Sequence, residues 1–362
     1  MLKFAPIFSD HMVLQREKPL HLWGTGSPDT TVTASLGSLS GTARVQDSRW
    51  EITLPPLPAG GPYTITLTDG VETLTLGDIM LGEVWLCGGQ SNMELIMRDS
   101  KEPAPALEAS ADSNVRLYHV CKRGIFDDEF YAEENASRWQ LPSAESTQYW
   151  TAIGYYFGAE LARKLGVTVG LVECNYGGTS AAAWISEEKL AQTAIGQKYL
   201  DDYANGMKGL TDEEGCRAYL EYCEYHNAWQ KRIDECYRQN PDTPWEKALE
   251  LCGENRYPGP QAPNNPLRAH GLYDTMISRI VPYTMRGVLY YQGESDDHRP
   301  EGYQTLLTTL IRQWREDFRD LDLPFLLVQL PMYAEEETIA CENGQVIEVI
   351  PVWKWLLESG RE

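Results

Sequence analysis

The sequence predicts a two-part α/β protein, with a small antiparallel β unit over residues 1–76 and a larger unit of parallel-sheet order over residues 77–362. Three observations predict it. The chain has 362 residues, whereas single hydrophobic cores stop growing near ~250 to 300 residues. Up to about residue 76 the apolar residues recur with the strand period of two. After residue 77, short unbroken apolar runs alternate with stretches of helical period.

In the first unit the strand segments are LHLWGTG, TVTASLG, RWEITLPPL and YTITLTDG. Asp69-Gly70 and Ala59-Gly60-Gly61-Pro62 separate them with turn chemistry, supplying a positive or a fixed φ where a strand reverses. In the second unit EVWLC, VRLYHV, VTVGLVEC, RGVLYY and PFLLVQL read as buried strands. Between them, WTAIGYYFGAELARKLG places Ile153, Phe157 and Leu161 four apart and ends on Gly166, an amphipathic helix with a glycine stop. YQTLLTTLIRQWREDF has the same character. Residues from about 187 to 265 interrupt the alternation with a charged, aromatic, helix-rich insertion, whose tyrosines and tryptophans at helical spacing read as a local core.

Composition excludes several classes. With 42% apolar and 23% charged residues the chain is globular. Fifty-three acidic against 31 basic residues, a formal charge of −22, repel nucleic acid and anionic membranes at long range. Eight cysteines include no Cys-x-x-Cys pair and lie far from any histidine cluster, so no zinc site is expected. No run of ~18 apolar residues occurs, and the N-terminus lacks a leader-like apolar core, so a cytoplasmic protein is expected.

The residues able to do chemistry cluster where strands are expected to end. EVWLC delivers Gly88-Gly89-Gln90-Ser91-Asn92 to the sheet edge at which open α/β folds bind ligands. Glycines there permit a tight turn, and NMELIMRDS can start a helix whose first N–H groups favour an oxyanion. Ser91 is placed as a nucleophile or, equally, as a helix N-cap. Met93 stands where the Gly-x-Ser-x-Gly elbow needs its second glycine, which argues against the usual α/β-hydrolase turn. A second strand ends on Asn175-Tyr176-Gly177-Gly178-Thr179-Ser180, where Gly178 can aim an N–H at the same point. A third ends on Gln292-Gly293-Glu294-Ser295, offering an amide and a carboxylate.

Together GGQSNM, NYGGTSAAAW and YYQGES, in that order and spacing, resemble the sialate O-acetylesterase group of SGNH hydrolases. APIFSDHMVLQREKPLHLWGTG and LPFLLVQLPMY extend the resemblance to about nine tenths of the chain. It implies an N-terminal β-sandwich on a flavodoxin-like three-layer α/β/α domain that removes acetyl groups from the hydroxyls of a sugar or glycan, without metal or organic cofactor. It makes Ser91 the nucleophile, and the N–H groups of Ser91 and Gly178 with the Gln292 side chain the oxyanion hole. Gln90 and Asn92 are expected to bind substrate. Trp184 is read either as substrate-binding or as a packed aromatic beside the Gly178 loop.

One block of the family pattern is missing. The family's catalytic histidine lies in an Asp-x-His-Pro block near the carboxyl terminus, and no histidine follows His298 here. The tail AEEETIACENGQVIEVIPVWKWLLESGRE stops where another strand and helix are expected, which reads as a truncated or frame-shifted end. His11, His21, His119, His226 and His270 stand outside the family's catalytic position. His298, next to Asp296 and Asp297, is read either as a substitute base or as a surface loop histidine among solvated charges, and Glu294 either helps order a base or binds a sugar hydroxyl, or is tied to backbone donors. A sugar-binding protein without catalysis is the alternative function.

Overall fold

One strand of 17 residues, β8 (Thr73–Gly89), runs through both units. The computed structural model describes residues 1–330 and the strands Ile339–Glu342 and Gln345–Glu348. The expected boundary at residues 76/77 therefore falls inside β8. Most of the tail in which a missing strand and helix were expected lies outside the described residues.

The first half of β8 belongs to an antiparallel sheet. The preceding strands are β1 (Lys3–Phe4), β2 (Val13–Gln15), β3 (Leu20–Thr25), β4 (Thr31–Leu36), β5 (Leu39–Arg44), β6 (Arg49–Leu54) and β7 (Gly60–Thr68). β1, β3 and β6 form one sheet, while β5, β4, β7 and β8 form the second in that order. Leu20, Leu22, Ile52 and Leu54 of the first meet Val32, Ala34, Ile65 and Leu67 of the second in one buried cluster. The strict alternation of these residues lets each strand bury one face. Asp69-Gly70 makes the expected turn, with Gly70 at φ +87° and the Asp69 carboxylate accepting from the N–H groups of Val71 and Glu72. Gly60-Gly61-Pro62 does not turn the chain. It starts β7 with a register shift against β8, and Gly61 at φ +129° absorbs the bulge.

From Leu81 to Gly89 every residue of β8 is buried, the mark of a strand covered on both faces. Here its partners are parallel: β10 (Val169–Asn175) on one side and β11 (Gly287–Tyr291) on the other, with β9 (Val115–His119) beyond β10 and β12 (Phe325–Leu327) beyond β11. Trp85 and Cys87 point into a layer with Ala152, Tyr155 and Ala162 of the helix Ala152–Leu165. Val84 and Leu86 point into the opposite layer with Leu306, Leu310 and Trp314 of the helix Pro300–Asp317. The result is three layers, α/β/α. The helix Ala152–Leu165 is bracketed as its sequence demands, by Thr151 accepting from Gly154 N–H and by Gly166 in the left-handed region at φ 65°.

The insertion holds four helices. Glu187–Ala191 and Ala194–Gly206 place Leu190 and Ile195 in the main core. Only Asp212–Gln239 and Trp245–Cys252 form a separate cluster, around Trp229, Ile233, Ala248 and Cys252. Among the described residues no helix is long and apolar enough to cross a membrane.

Candidate active site

The chain leaves β8 towards β9, returns to β10 beside β8, and then continues on β8's other side to β11 and β12. β8 is thus the strand at which the winding reverses, where open sheets form a crevice at their carboxyl ends. In register, Gly89 of β8 stands opposite both Asn175 of β10 and Tyr291 of β11. The three polar blocks therefore start from one level. Gly89 sits at φ +136°, and a Cβ there would come 2.1 Å from the Tyr291 carbonyl oxygen, so only glycine lets β8 end against β11.

Ser91 opens a helical turn of four residues, Ser91–Glu94. A single turn has little macrodipole, so what it can offer an anion is its individual N–H groups rather than the field of a long helix. Ser91 is not an N-cap. Gln90 occupies that position and makes no side-chain cap. Ser91 is exposed, and neither its hydroxyl nor its N–H hydrogen-bonds to another described residue. Met93, which replaces the second glycine of the elbow, is wholly buried and pins the turn to the layer below.

The turn after β10 packs directly against this serine. A Cβ on Gly177 would lie 3.6 Å from Ser91 Cβ. Gly178 takes φ +75°, and its N–H donates to no acceptor among the described residues. Glu94, three residues after Ser91, accepts from Gly177 N–H at 2.7 Å. Lys122 Nζ donates to both Glu94 Oε1 at 3.1 Å and Asn175 Oδ1 at 2.9 Å. From the far side Tyr257 donates its hydroxyl to the Gly178 carbonyl at 2.9 Å. Glu94, Lys122 and Tyr257 were not among the expected site residues. Glu94 had a visible signal, its place one helical turn from Ser91, while Tyr257 was hidden among the insertion's many aromatics.

The turn after β11 differs from expectation. Gln292 is buried at 3% exposure, and its Nε2 donates to the Thr179 carbonyl at 3.0 Å and to Asp296 Oδ2 at 2.6 Å. Its Oε1 accepts from the Tyr303 hydroxyl at 3.1 Å. In this arrangement the amide is committed to the frame and is not a free oxyanion donor. Asp296 also accepts from Ala181 N–H and from the Tyr199 hydroxyl. Burial and the Asp296 charge push the Tyr199 phenol well up, so it stays a donor.

Two of the expected substrate contacts are corrected by burial. Gln90, 3% exposed, uses Oε1 to accept from the N–H groups of Gly293 and Ser295, so it ties two turns together instead of facing a ligand. Trp184 is fully buried, its indole N–H bonded to Thr179 Oγ1 at 2.9 Å, and cannot touch substrate. Asn92 donates Nδ2 to Glu294 Oε1, and Glu294 Oε2 is buried with no donor among the described residues. The structure does not bring His298 to Ser91. Its half-exposed ring lies edge-on to Tyr199 at 6.0 Å, with Nδ1 3.9 Å from Asp297 Oδ1.

A family model described as a carbohydrate esterase, sialic acid-specific acetylesterase, matches residues 262–354. Sialate O-acetylesterase of Mus musculus is 28% identical over 360 residues, covering 91% of this chain and 60% of the mouse protein. The Homo sapiens enzyme is 24% identical, covering 91% of this chain and 57% of its own length. The crystal structure of a carbohydrate acetylesterase from Xanthomonas citri superposes with a TM-score of 0.64 at 26% identity, over 91% of this chain and 60% of that one. The chain resembles sialate O-acetylesterases across nine tenths of its length and spans about three fifths of theirs.

Proposed function

We propose that this chain is a carbohydrate O-acetylesterase of the SGNH type, which moves the acetyl group of an acetylated sugar hydroxyl first to Ser91 and then to water. One observation carries the reading: an exposed, unbonded serine at the switch point of a parallel sheet, with a glycine turn pressed against it and two N–H groups lacking acceptors among the described residues. Attack of Ser91 Oγ on the acetyl carbonyl turns its oxygen into an oxyanion, and the N–H groups of Ser91 and Gly178 are the donors proposed to meet it. Collapse expels the sugar alkoxide, which must be protonated, and leaves an acetyl-enzyme. Water then releases acetate and restores the serine. The acetylated sugar as substrate rests on the names of the similar enzymes.

The serine proton needs an acceptor. Glu294, anchored to Asn92 beside Ser91, has one carboxylate oxygen without a donor among the described residues. It is proposed to receive a sugar hydroxyl or an imidazole N–H. His298, four residues further on, is the imidazole proposed as base, a role that requires its ring to leave Tyr199 and turn towards Ser91.

Hydrolysis of p-nitrophenyl acetate, with Ser91→Ala as the control, tests the reading. Acetate release that vanishes in the variant is expected. Release that persists in Ser91→Ala would overturn the assignment, and a labelled serine without turnover would favour a sugar-binding protein.

A further inference from the structure

We propose that Tyr257 and Glu94 are positioning residues which clamp the Gly177–Gly178 peptide from opposite sides, so that the reach of the helical insertion helps to set the oxyanion donor. The inference rests on the esterase reading above for its kinetic consequence, though not for the clamp itself. The N–H that meets the oxyanion belongs to the peptide between Gly177 and Gly178. Both flanking peptides are held: Gly177 N–H by Glu94 Oε2 at 2.7 Å, and the Gly178 carbonyl by the Tyr257 hydroxyl at 2.9 Å. The N–H between them, that of Gly178, has no acceptor among the described residues.

Two adjacent glycines have more backbone freedom than any other pair, and an oxyanion donor works only if it is already aimed. Hydrogen bonds from two directions remove that freedom. The clamps also sit close over the glycines. A Cβ on Gly177 would come 2.8 Å from Glu94 Oε2, and one on Gly178 would come 2.5 Å from the Tyr257 hydroxyl oxygen, so an added side chain at either place would push a clamp away.

Each clamp is itself fixed. Glu94 is countered by Lys122, whose second bond ties Asn175 at the root of the turn. Tyr257 follows the helix Trp245–Cys252, and its segment is tethered to the long insertion helix Asp212–Gln239. Trp229 donates its indole N–H to the Gly253 carbonyl at 2.8 Å, and Tyr225 donates its hydroxyl to the Glu254 carbonyl at 2.6 Å. The Tyr257 ring is 48% exposed, so packing does not explain its position. Partial burial pushes its phenol upward, and the hydroxyl remains a donor at neutral pH. A side chain that reaches from the insertion to bond a positive-φ glycine beside Ser91 is a device for aiming that glycine.

The test compares Tyr257→Phe and Tyr257→Ala with the full wild-type chain. Tyr257→Phe keeps the ring and deletes only the hydrogen bond, so kcat on p-nitrophenyl acetate is expected to fall roughly 10-fold to 100-fold, with KM within about twofold and the thermal midpoint unchanged. Glu94→Ala is expected to lose a similar factor, and Glu94→Gln, which keeps an oxygen for Gly177 N–H, to recover most of it. Hydrogen exchange of the peptides covering residues 176–180 supplies a readout free of catalysis: exchange is expected to speed up in both Tyr257 variants. Unchanged exchange in those variants would overturn the clamp even in a chain that hydrolyses no ester. Faster exchange with kcat unaltered would overturn its link to the chemistry. A wild-type chain without Ser91-dependent hydrolysis would instead count against the esterase reading, leaving the exchange measurement to decide the clamp.

Discussion

At the carboxyl end of β8 and β10, Ser91 is exposed and the N–H groups of Ser91 and Gly178 have no acceptor among the described residues. One strand away, at the end of β11, Gln292 and Asp296 are 3% and 2% exposed, and their polar atoms are bonded to Thr179, Ala181, Tyr199, Tyr303 and each other. Both turns are built from glycine, amides and carboxylates, and both start from the same level of one sheet. The difference lies in who satisfies the polar groups. In a buried network every donor finds an acceptor inside the protein, because an unmet one costs about 1–3 kcal/mol. At an exposed turn a donor can be left for a ligand, since water occupies it in the meantime. Gln292 and Asp296 are accordingly frame, and the β8 and β10 turns carry the open donors that the proposed chemistry would use.

The sharpest way to break this division is Ser91→Ala. It should abolish both p-nitrophenyl acetate hydrolysis and covalent labelling by a fluorophosphonate probe, a loss down to background. Labelling that survives would place the nucleophile elsewhere and remove the functional contrast between the turns.

Next in size are changes to the frame. Asp296→Ala leaves Gln292 Nε2, Ala181 N–H and the Tyr199 hydroxyl short of an acceptor. A cost of about 3 kcal/mol follows, visible as a fall of several degrees in the thermal midpoint. Gln292→Ala should act in the same direction and less strongly. The opposite signature, a kcat loss of roughly 10²-fold at constant midpoint and constant KM, would show that Gln292 leaves Thr179 to serve as an oxyanion donor after all.

A smaller effect separates the two ends of the β11 turn. His298 lies beside Tyr199 and Asp297 and makes no hydrogen bond to Ser91 in the arrangement described, so His298→Ala should cost less than Ser91→Ala by orders of magnitude. Members of a catalytic unit fail together rather than additively. Equal losses would establish His298 as the base and require the turn to swing towards Ser91.

Local signals sufficed for the scaffold: an apolar run closing on Gly88-Gly89 marked the carboxyl end of β8, and Thr151 with Gly166 bracketed a helix. Position at the sheet edge was therefore legible for Ser91, Gly178 and Gln292. Which of their atoms stay free was not, because that depends on partners far along the chain. Gln90 meets Gly293 and Ser295, and Gln292 meets Thr179, across separations of 203, 205 and 113 residues. Tyr257 illustrates the same limit. Nothing in an aromatic-rich insertion distinguishes the ring that reaches across to Gly178 from those that pack on one another. Nor does the pair Gly60-Gly61 tell a bulge from a turn, since both need glycine's positive φ.

The least effect, and the finest probe of how frame and open turn are joined, concerns His119 at the end of β9. Its Nδ1 lies 3.4 Å from Glu173 Oε2, and Glu173, 1% exposed, also accepts from Thr151 N–H and faces Lys122 Nζ at 3.6 Å. Lys122 in turn holds Glu94, which holds Gly177. Burial lowers the His119 pKa below its ordinary 6.5, Glu173 pulls it back up, and Lys122 pushes it down further, with burial prevailing. A histidine whose folded-state pKa is depressed contributes stability that is fully present above the unfolded value and is lost as pH falls through the folded one. The thermal midpoint of the wild type should therefore decline as the pH drops from neutral into the mildly acidic range, and His119→Gln should flatten that part of the curve. Were the Glu173 ion pair dominant instead, the wild type would gain stability relative to His119→Gln over the same descent. That outcome would recast the link between β9 and the Gly177 turn as a charged bridge rather than a neutral one.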